Sequence, residues 1–230
     1  MSVVLITGAN KGIGLELTRI YANAGDTVLA CCRNPGEAEA LNTLATDNDV
    51  NVIGVQVGET SSVNDMAAEI GDVPIDLLIN NAGTGGPAFD KQTAYEMDFD
   101  GWAETMNINA MAPVRVMHAL MTNLKASGSA KVVSITSQMG ALALDMPVAY
   151  AYCTSKAALN KYMKMAALEL GKENISVAVI HPGWVQTDMG GPGADITPLE
   201  SATGIAKVIG NLDASNNGGF WKWDGEEHPW

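Results

Sequence analysis

Seven short runs of apolar, often β-branched residues recur along the chain, and segments of helical composition fill the gaps between them. The runs cover residues 3–7, 27–31, 52–57, 77–80, 132–135, 176–181 and 219–223. Their residues are apolar at consecutive positions, which is typical of strands that are covered on both faces. Strands of this kind, in alternation with helices, predict a three-layer, doubly wound α/β fold around a seven-stranded, mostly parallel sheet.

Composition limits the classes of protein to which the chain can belong. Its 230 residues are 47% hydrophobic and 17% charged, which predicts one globular domain over residues 1–230. The formal net charge of −13 disfavours binding to nucleic acid or to an anionic membrane. No apolar stretch reaches the roughly 20 residues of a membrane span, and no basic-then-apolar leader opens the sequence. We therefore expect a cytoplasmic protein.

Cysteine and histidine spacing gives no sign of a metal site. The three cysteines form no Cys-x-x-Cys pair, and His118, His181 and His228 lie far apart in the sequence. We expect neither a metal ion nor a disulfide framework. Cys153 is interpreted as a packing residue, with a reactive thiol as the alternative because it adjoins Tyr152.

A glycine-rich turn follows the first predicted strand directly. The segment Thr7-Gly8-Ala9-Asn10-Lys11-Gly12-Ile13-Gly14 leads into a helical stretch that ends near Gly25. Glycines in such a turn let backbone N–H groups approach a pyrophosphate, and the helix dipole favours its negative charge. The spacing differs from the common Gly-x-Gly-x-x-Gly fingerprint, so a tight turn without a ligand remains an alternative.

Tyr152 and Lys156 are four residues apart within a stretch of helical composition. Residues at this spacing lie one above the other on a helix face, so the phenol and the ammonium can share one site. A phenol has a pKa of about 10, and a nearby cation lowers it, which predicts a proton donor. Tyr150 is the competing aromatic residue, but its partner four residues on is Thr154, which carries no charge.

Several motifs in a fixed order resemble those of the short-chain dehydrogenase/reductase family, almost from end to end of the chain. The residues that carry the resemblance are the glycine turn at residues 7–14, Asn80-Asn81-Ala82-Gly83, Asn109, Ser137, Tyr152 with Lys156, and His181-Pro182-Gly183 with Thr187. The resemblance implies a Rossmann-type fold that binds a nicotinamide dinucleotide. It also places the ligand at the carboxyl ends of the strands.

The family resemblance implies a role for each catalytic candidate. Ser137 would polarise a substrate oxygen, Tyr152 would act as general acid/base, and Lys156 would lower the phenol pKa and hold the nicotinamide ribose. Asn109 would anchor a water that links the lysine to solvent. Thr136 competes with Ser137 for the first role, and Asn107 competes with Asn109.

The same resemblance implies a set of cofactor-binding residues around the strand ends. They are Gly8, Asn10, Lys11, Gly12, Ile13, Gly14, Arg33, Gly58, Asn81, Ala82, Gly83, Tyr152, Lys156, Pro182, Gly183, Val185 and Thr187. Where the family usually has an aspartate near the adenine, this chain has Gly58-Glu59. We therefore expect unusual adenine contacts that use the backbone.

Two cations favour NADP(H) over NAD(H) as the cofactor. The second predicted strand leads to Cys32-Arg33 rather than to a carboxylate, and an arginine there suits a 2′-phosphate. Lys11 adds a second positive charge in the glycine turn. The alternative interpretation is that both are solvated surface cations.

Four segments bear on the substrate or on assembly. Ser137 precedes Tyr152 by fifteen residues, so residues 139–149 are interpreted as a small insertion at the substrate mouth. Residues 183–197 form an irregular, glycine-containing stretch that is either a mobile flap or a plain surface loop. Helical stretches 102–124 and 151–170 correspond to family helices that pack against another subunit, which implies a homodimer or homotetramer.

Within the family, the chain resembles Sniffer-type carbonyl reductases and C-factor-like proteins. We therefore expect an NADP(H)-dependent oxidoreductase that acts on a small carbonyl or alcohol substrate. The alternative is a cofactor-binding signalling protein of the C-factor type. An epimerase or dehydratase would share the Tyr152 and Lys156 pair but normally needs a larger C-terminal region.

Overall fold

The computed structural model describes all residues from 1 to 230 and contains one seven-stranded sheet. The strands are β1 (Val3–Thr7), β2 (Thr27–Cys32), β3 (Val50–Gly54), β4 (Leu77–Asn80), β5 (Lys131–Ile135), β6 (Ser176–His181) and β7 (Phe220–Lys222). They are arranged in the order β3-β2-β1-β4-β5-β6-β7, and every pairing is parallel. The structure confirms the predicted doubly wound α/β fold, with a fully parallel sheet.

Helices cover both faces of the sheet. They are α1 (Gly12–Asn23), α2 (Glu39–Asp47), α3 (Thr60–Ile70), α4 (Phe99–Met106), α5 (Ala112–Ala119), α6 (Met121–Ser127), α7 (Tyr150–Leu170) and α8 (Pro198–Gly210). Alternate residues of β1 enter different cores: Leu5 packs with residues of α3, α5, α6 and α7, whereas Val4 and Ile6 pack with residues of α1, α2 and α8. Continuous apolar runs therefore predicted the five inner strands correctly, because both faces of these strands are buried.

The predicted third strand was displaced by a few residues. β3 spans Val50–Gly54 rather than 52–57, because its pairing with β2 begins at Val50 opposite Val28 and ends at Gly54 opposite Cys32. Val55 donates one more bond to the Cys32 carbonyl at 2.8 Å, after which the chain turns away. Val55 is nevertheless buried in the core and Val57 packs against it, so hydrophobicity continued beyond the strand.

The predicted helix over residues 102–124 is interrupted twice. A π-helical turn, Asn107–Met111, joins α4 to α5, and Leu120 separates α5 from α6. Pro113 lies four residues after Asn109 and has no N–H, so the Asn109 carbonyl cannot accept the usual α-helical bond. The helix widens by one residue at the position where the family resemblance places a functional asparagine.

The strand order places a crevice at the carboxyl ends of β1 and β4. Successive connections lead outward from β1 to β2 and β3 on one side, and from β4 to β5, β6 and β7 on the other. Parallel α/β sheets bind ligands at such a switch point. No helix of the protein combines the length and the apolar character that crossing a bilayer requires.

Candidate active site

The glycine turn between β1 and α1 leaves helix N–H groups without side-chain partners. Lys11 occupies the N-cap position with no capping hydrogen bond, and the first turn of α1 holds no acidic residue. Gly8 and Gly12 have φ values of +67° and +53°, which favour glycine. A Cβ on Gly14 would lie 2.2 Å from the Gly8 carbonyl oxygen, so the turn closes tightly on itself. The free amides form a site suited to an anion.

Thr7 and Asn81 fix this turn to the end of β4. The Asn81 side-chain amide donates to the Thr7 and Gly8 carbonyls at 3.0 and 3.1 Å. The Thr7 hydroxyl accepts from the backbone N–H groups of Asn81 and Ala82 at 3.0 and 3.1 Å. Asn81 and Ala82, both predicted cofactor residues, therefore lie beside the glycine turn. Thr7, the first residue of the motif, supports the turn through its hydroxyl.

The segment after β6 also contacts the glycine turn. Lys11 Nζ lies 2.6 Å from Asp188 Oδ2, and a Cβ on Gly12 would lie 3.1 Å from Thr187 Cγ2. Both charged side chains are largely exposed, and Lys11 lowers the pKa of Asp188 through a hydrogen bond and its charge. Asp188 was not predicted as a site residue, and it is 177 residues from Lys11 in the chain.

Residues 183–197 are folded against themselves rather than extended into solvent. Val185 forms a parallel bridge with Ile196, and Trp184 Nε1 donates to the Gly190 carbonyl at 2.9 Å. Gly183 has a φ of +86°, and a Cβ there would lie 2.6 Å from Ile196 Cδ1. The Ser201 hydroxyl anchors the start of the segment by donating to the Pro182 carbonyl at 2.6 Å.

Arg33 is exposed just beyond β2, near the glycine turn. β2 pairs with β1 up to Cys31 opposite Thr7, and Ala9 donates to the Cys31 carbonyl at 3.0 Å. None of the four ion pairs in the protein includes Arg33. Its guanidinium is thus free to bind an anion at this edge.

Lys156 is a buried cation on α7. Its side chain donates from Nζ to the Ile135 carbonyl at the end of β5 at 2.9 Å, and the residue is 5% exposed. Burial lowers the pKa of Lys156 from 10.5 to about 8. Lys156 Nζ lies 5.8 Å from the centroid of the Tyr152 ring, so the spacing of four residues does bring the two groups together.

Tyr152 differs from the expectation in its acidity. Burial raises the pKa of the phenol, and the nearby Ser137 hydroxyl lowers it by a smaller amount. The prediction of a lowered Tyr152 pKa is therefore wrong, because desolvation by burial is larger than the lowering by Ser137. Tyr152 therefore stays protonated at neutral pH, as a proton donor must.

Ser137 and Thr136 have different orientations. Ser137 is buried beside Tyr152, and its Oγ accepts from the Met139 N–H at 3.1 Å. The Thr136 hydroxyl donates to Asn160 Oδ1 at 2.5 Å in the interior, which removes Thr136 as a substrate donor. A Cβ on Gly140 would lie 2.8 Å from Lys156, so the segment that carries Ser137 packs directly on α7.

The two candidate asparagines in the π-helical turn hold different segments. Asn109 accepts from the Thr84 N–H and donates to the Thr84 carbonyl, both at 2.8 Å, and it donates to Ser155 Oγ at 3.0 Å. Asn107 instead donates to the Gly58 carbonyl at 3.0 Å. Both hydrogens of the Asn109 amide are therefore engaged, and its Oδ1 already accepts one bond.

Gln92 sets the start of the catalytic helix. Its main-chain and side-chain oxygens accept from the N–H groups of Tyr150 and Tyr152, both at 3.2 Å. These bonds replace a side-chain N-cap, because the N-cap residue is Ala149, in the left-handed region with φ +48°. Gln92 is 1% exposed, and no local pattern identified it as a supporting residue.

Cys153 lacks the lowered pKa of a reactive thiol. Its Sγ donates to the Val148 carbonyl at 3.1 Å, and burial raises the pKa of the thiol. Reactive cysteines have a lowered pKa, so the packing interpretation is the better one. The structure contains no disulfide and brings no three His, Cys, Asp or Glu side chains together in a way that could hold a metal ion.

A comparison with known sequences identifies relatives that share these motifs. The family model described as short chain dehydrogenase matches residues 2–195. The C-signal protein of Myxococcus xanthus is 40% identical over 158 residues, which cover 68% of this chain and 93% of that protein.

Solved structures share the whole fold. NADPH-bound carbonyl reductase from chicken fatty liver is 31% identical, with a TM-score of 0.90 over 100% of this chain and 98% of that one. Carbonyl reductase Sniffer of D. melanogaster is 28% identical, with a TM-score of 0.93 over 100% of both chains. With a family model that spans most of its length, this chain belongs to the short-chain dehydrogenase family, whose members are oxidoreductases.

Proposed function

We propose that the protein is an NADP(H)-dependent oxidoreductase that transfers a hydride between the nicotinamide and a small carbonyl or alcohol substrate. The observation that carries this proposal is the buried Lys156 ammonium, which has no carboxylate partner and lies 5.8 Å from the Tyr152 ring. A buried charge without a counter-ion destabilises the fold, and such groups are concentrated at functional sites.

The donor groups of the crevice fit a dinucleotide with a 2′-phosphate. The uncapped N-terminus of α1 would receive the pyrophosphate, and Arg33 and Lys11 would receive the 2′-phosphate. Asn10, Ile13, Gly58 and Gly83 would border the adenosine and ribose groups. Lys156 would hold the nicotinamide ribose, with Pro182, Gly183, Val185 and Thr187 around the nicotinamide. Support also comes from the NADPH-bound carbonyl reductase that shares this fold.

The catalytic residues would act on the oxygen and proton of the substrate. When bound, the reduced cofactor supplies the hydride that adds to the carbonyl carbon. Ser137 donates a hydrogen bond to the substrate oxygen as negative charge develops there. Tyr152 gives its phenolic proton to that oxygen, and the Lys156 charge stabilises the phenolate that remains. The Asn109 carbonyl would hold a water through which the proton is replaced.

Apolar side chains around the mouth favour an apolar carbonyl substrate. Leu142 and Met146 are exposed in the segment after Ser137, and Trp184 and Met189 are exposed in the segment after β6. Met189 contacts the segment after β4, because a Cβ on Gly85 would be 3.9 Å from its Cγ. Exposed apolar groups on two segments beside a polar centre suit a substrate with a hydrophobic body.

We also propose that residues 1–230 act as one domain in the cytoplasm and that two or four copies associate. An apolar groove of about 660 Å³ runs along α5 and α7 and includes Met106, Met111 and Val114. Met165 and Leu168 are exposed on α7. Burying these side chains against a second copy would account for their exposure, and light scattering would measure the assembly.

The direct test is to mix the protein with NADPH and a panel of aldehydes, ketones and quinones while following cofactor absorbance. The proposal predicts turnover of at least one apolar carbonyl compound, at a higher kcat/KM with NADPH than with NADH. NADPH binding without turnover across the panel would instead favour the alternative of a cofactor-binding signalling protein. Absence of NADPH binding would contradict both interpretations.

A further inference from the structure

Arg115 on α5 holds the segment that follows β3. Its Nη1 donates to the Val57 carbonyl at 2.7 Å, and its Nε donates to Thr60 Oγ1 at 3.0 Å. Its Nη2 donates to Asn107 Oδ1 at 2.8 Å. All three nitrogens of the guanidinium are thus engaged with residues 57–60 or with the π-helical turn beside them.

Asn107 continues this connection to Gly58. The Asn107 amide donates to the Gly58 carbonyl at 3.0 Å, and a Cβ on Gly58 would lie 2.7 Å from Ile108 Cδ1. The backbone at Gly58 is therefore pressed against the π-helical turn, with no room for a larger residue without movement. A Cβ at this position would require the end of the Ile108 side chain to move, and this chain has glycine where the family usually has an aspartate.

The charge of Arg115 is not used in an ion pair. None of the four ion pairs in the protein includes it, although the chain has 26 acidic residues. The residue is only partly exposed, and two of its three acceptors are neutral side-chain oxygens. Fixed donor geometry, which a guanidinium provides, is what such a site requires.

We propose that Arg115 is a positioning residue for the adenosine half of the cofactor. By holding the Val57 carbonyl and, through Asn107, the Gly58 carbonyl, it fixes the main chain that borders the adenine. The backbone thereby takes over the role for which relatives use an acidic side chain. This inference rests on the proposed function, because it assumes that a dinucleotide occupies the crevice beside β3.

The test compares Arg115→Met with Arg19→Met, a matched control on α1 where Arg19 forms an ion pair with Glu16 at 3.4 Å. Titration calorimetry with 2′,5′-ADP measures adenosine-half binding without any turnover. We expect Arg115→Met to weaken this binding about tenfold, since hydrogen bonds from a charged group are lost, and the control to leave it unchanged. NADPH and NADH affinities should fall by the same factor, and kcat at saturating NADPH should stay within about twofold.

Unchanged 2′,5′-ADP affinity in Arg115→Met, with wild-type protein that binds the ligand, would overturn the inference and leave the proposed function intact. A loss of kcat equal to the loss of affinity would also overturn it, because that pattern indicates general damage through the π-helical turn. Failure of the wild-type protein to bind either 2′,5′-ADP or NADPH would contradict the proposed function itself. If circular dichroism shows that Arg115→Met is unfolded, Arg115→Lys replaces it in the same titration. We then expect 2′,5′-ADP to bind about threefold more weakly than to wild type. Unchanged 2′,5′-ADP affinity in Arg115→Lys would overturn the inference.

Discussion

The catalytic half and the phosphate-binding half of the proposed cleft hold their polar groups in different ways. Ser137, Lys156 and Asn109 are buried, and each has hydrogen-bond partners. Lys11 and Arg33 are exposed at the other end, and the only fixed contact of either side chain is the Lys11 to Asp188 ion pair. Proton transfer depends on fixed geometry, whereas attraction between a cation and a phosphate tolerates movement. Substitutions should therefore have larger effects in the catalytic half.

Removal of the Tyr152 hydroxyl tests the catalytic half with the largest expected effect. Tyr152→Phe should keep the fold and the NADPH affinity but lower kcat by a factor of about 10³ or more, because the substrate oxygen loses its proton donor. Steady-state kinetics and NADPH fluorescence titration provide the two measurements. Retention of more than a tenth of wild-type kcat would remove Tyr152 from the proposed mechanism.

Lys156→Met should lower kcat by about 10² or more and make the protein more stable at pH 7. The pKa of Lys156 is lowered from 10.5 to about 8 by burial. Its protonated form is therefore disfavoured in the folded state at every pH below about 8, and this cost disappears as pH rises toward 10.5. Lys156→Met removes this cost but also removes the hydrogen bond to the Ile135 carbonyl. The net result should be a gain of about 2 kcal/mol in the free energy of unfolding.

The Lys156 pKa also predicts how the reduction rate of the wild-type protein depends on pH. Reduction should decline as pH rises through about 8, where Lys156 loses its charge. Tyr152 stays protonated over this range because burial raises the pKa of the phenol. A rate that is constant from pH 7 to 9.5, or Lys156→Met that unfolds at lower denaturant concentration than wild type, would contradict this account of Lys156.

Arg33→Ala tests the phosphate-binding half and should have an intermediate effect. We expect NADPH affinity to fall about tenfold and NADH affinity to stay the same, because only the 2′-phosphate contacts the lost guanidinium. Parallel titrations with the two cofactors measure the ratio. Equal losses for both cofactors, or an unchanged preference, would show that Arg33 does not recognise the phosphate.

Asp188→Asn should have the smallest effect on NADPH affinity, and it should increase that affinity. Asp188 pairs with Lys11, which the 2′-phosphate would also bind, so the substitution frees Lys11. Because the pair is exposed, we expect NADPH binding to tighten only about two- to fivefold, with NADH unaffected. High salt should reduce the difference. Weaker NADPH binding would instead indicate that Asp188 stabilises the bound state.

Sequence patterns predicted those features that depend on neighbours in the chain. The strands, the glycine turn and the pairing of Tyr152 with Lys156 follow from local apolar runs, glycine spacing and helical periodicity. The supporting contacts join residues that are far apart: Gln92 and Tyr152 are separated by 60 positions, and Arg115 and Val57 by 58. No local pattern specifies such pairs, because the tertiary fold brings them together.

Hydrophobicity misplaced the end of β3 for a related reason. Val55 and Val57 lie beyond the end of β3 but still enter the core, so their burial does not require a strand. The π-helical turn before Pro113 was also not predicted, although the missing N–H of proline was a usable signal. The third error was the predicted lowering of the Tyr152 pKa. The burial that raises this pKa depends on tertiary packing and not on the spacing of residues in the sequence.

Isotope transfer is the most direct measurement of the central claim. NADPH deuterated at the transferred position of the nicotinamide is reacted with the carbonyl compound that the protein reduces fastest, and mass spectrometry locates the label in the alcohol. The account predicts deuterium on the carbinol carbon with wild-type protein, and product formation at no more than about a thousandth of that rate with Tyr152→Phe. Product without deuterium on that carbon, or equal product formation by the two proteins, would contradict it.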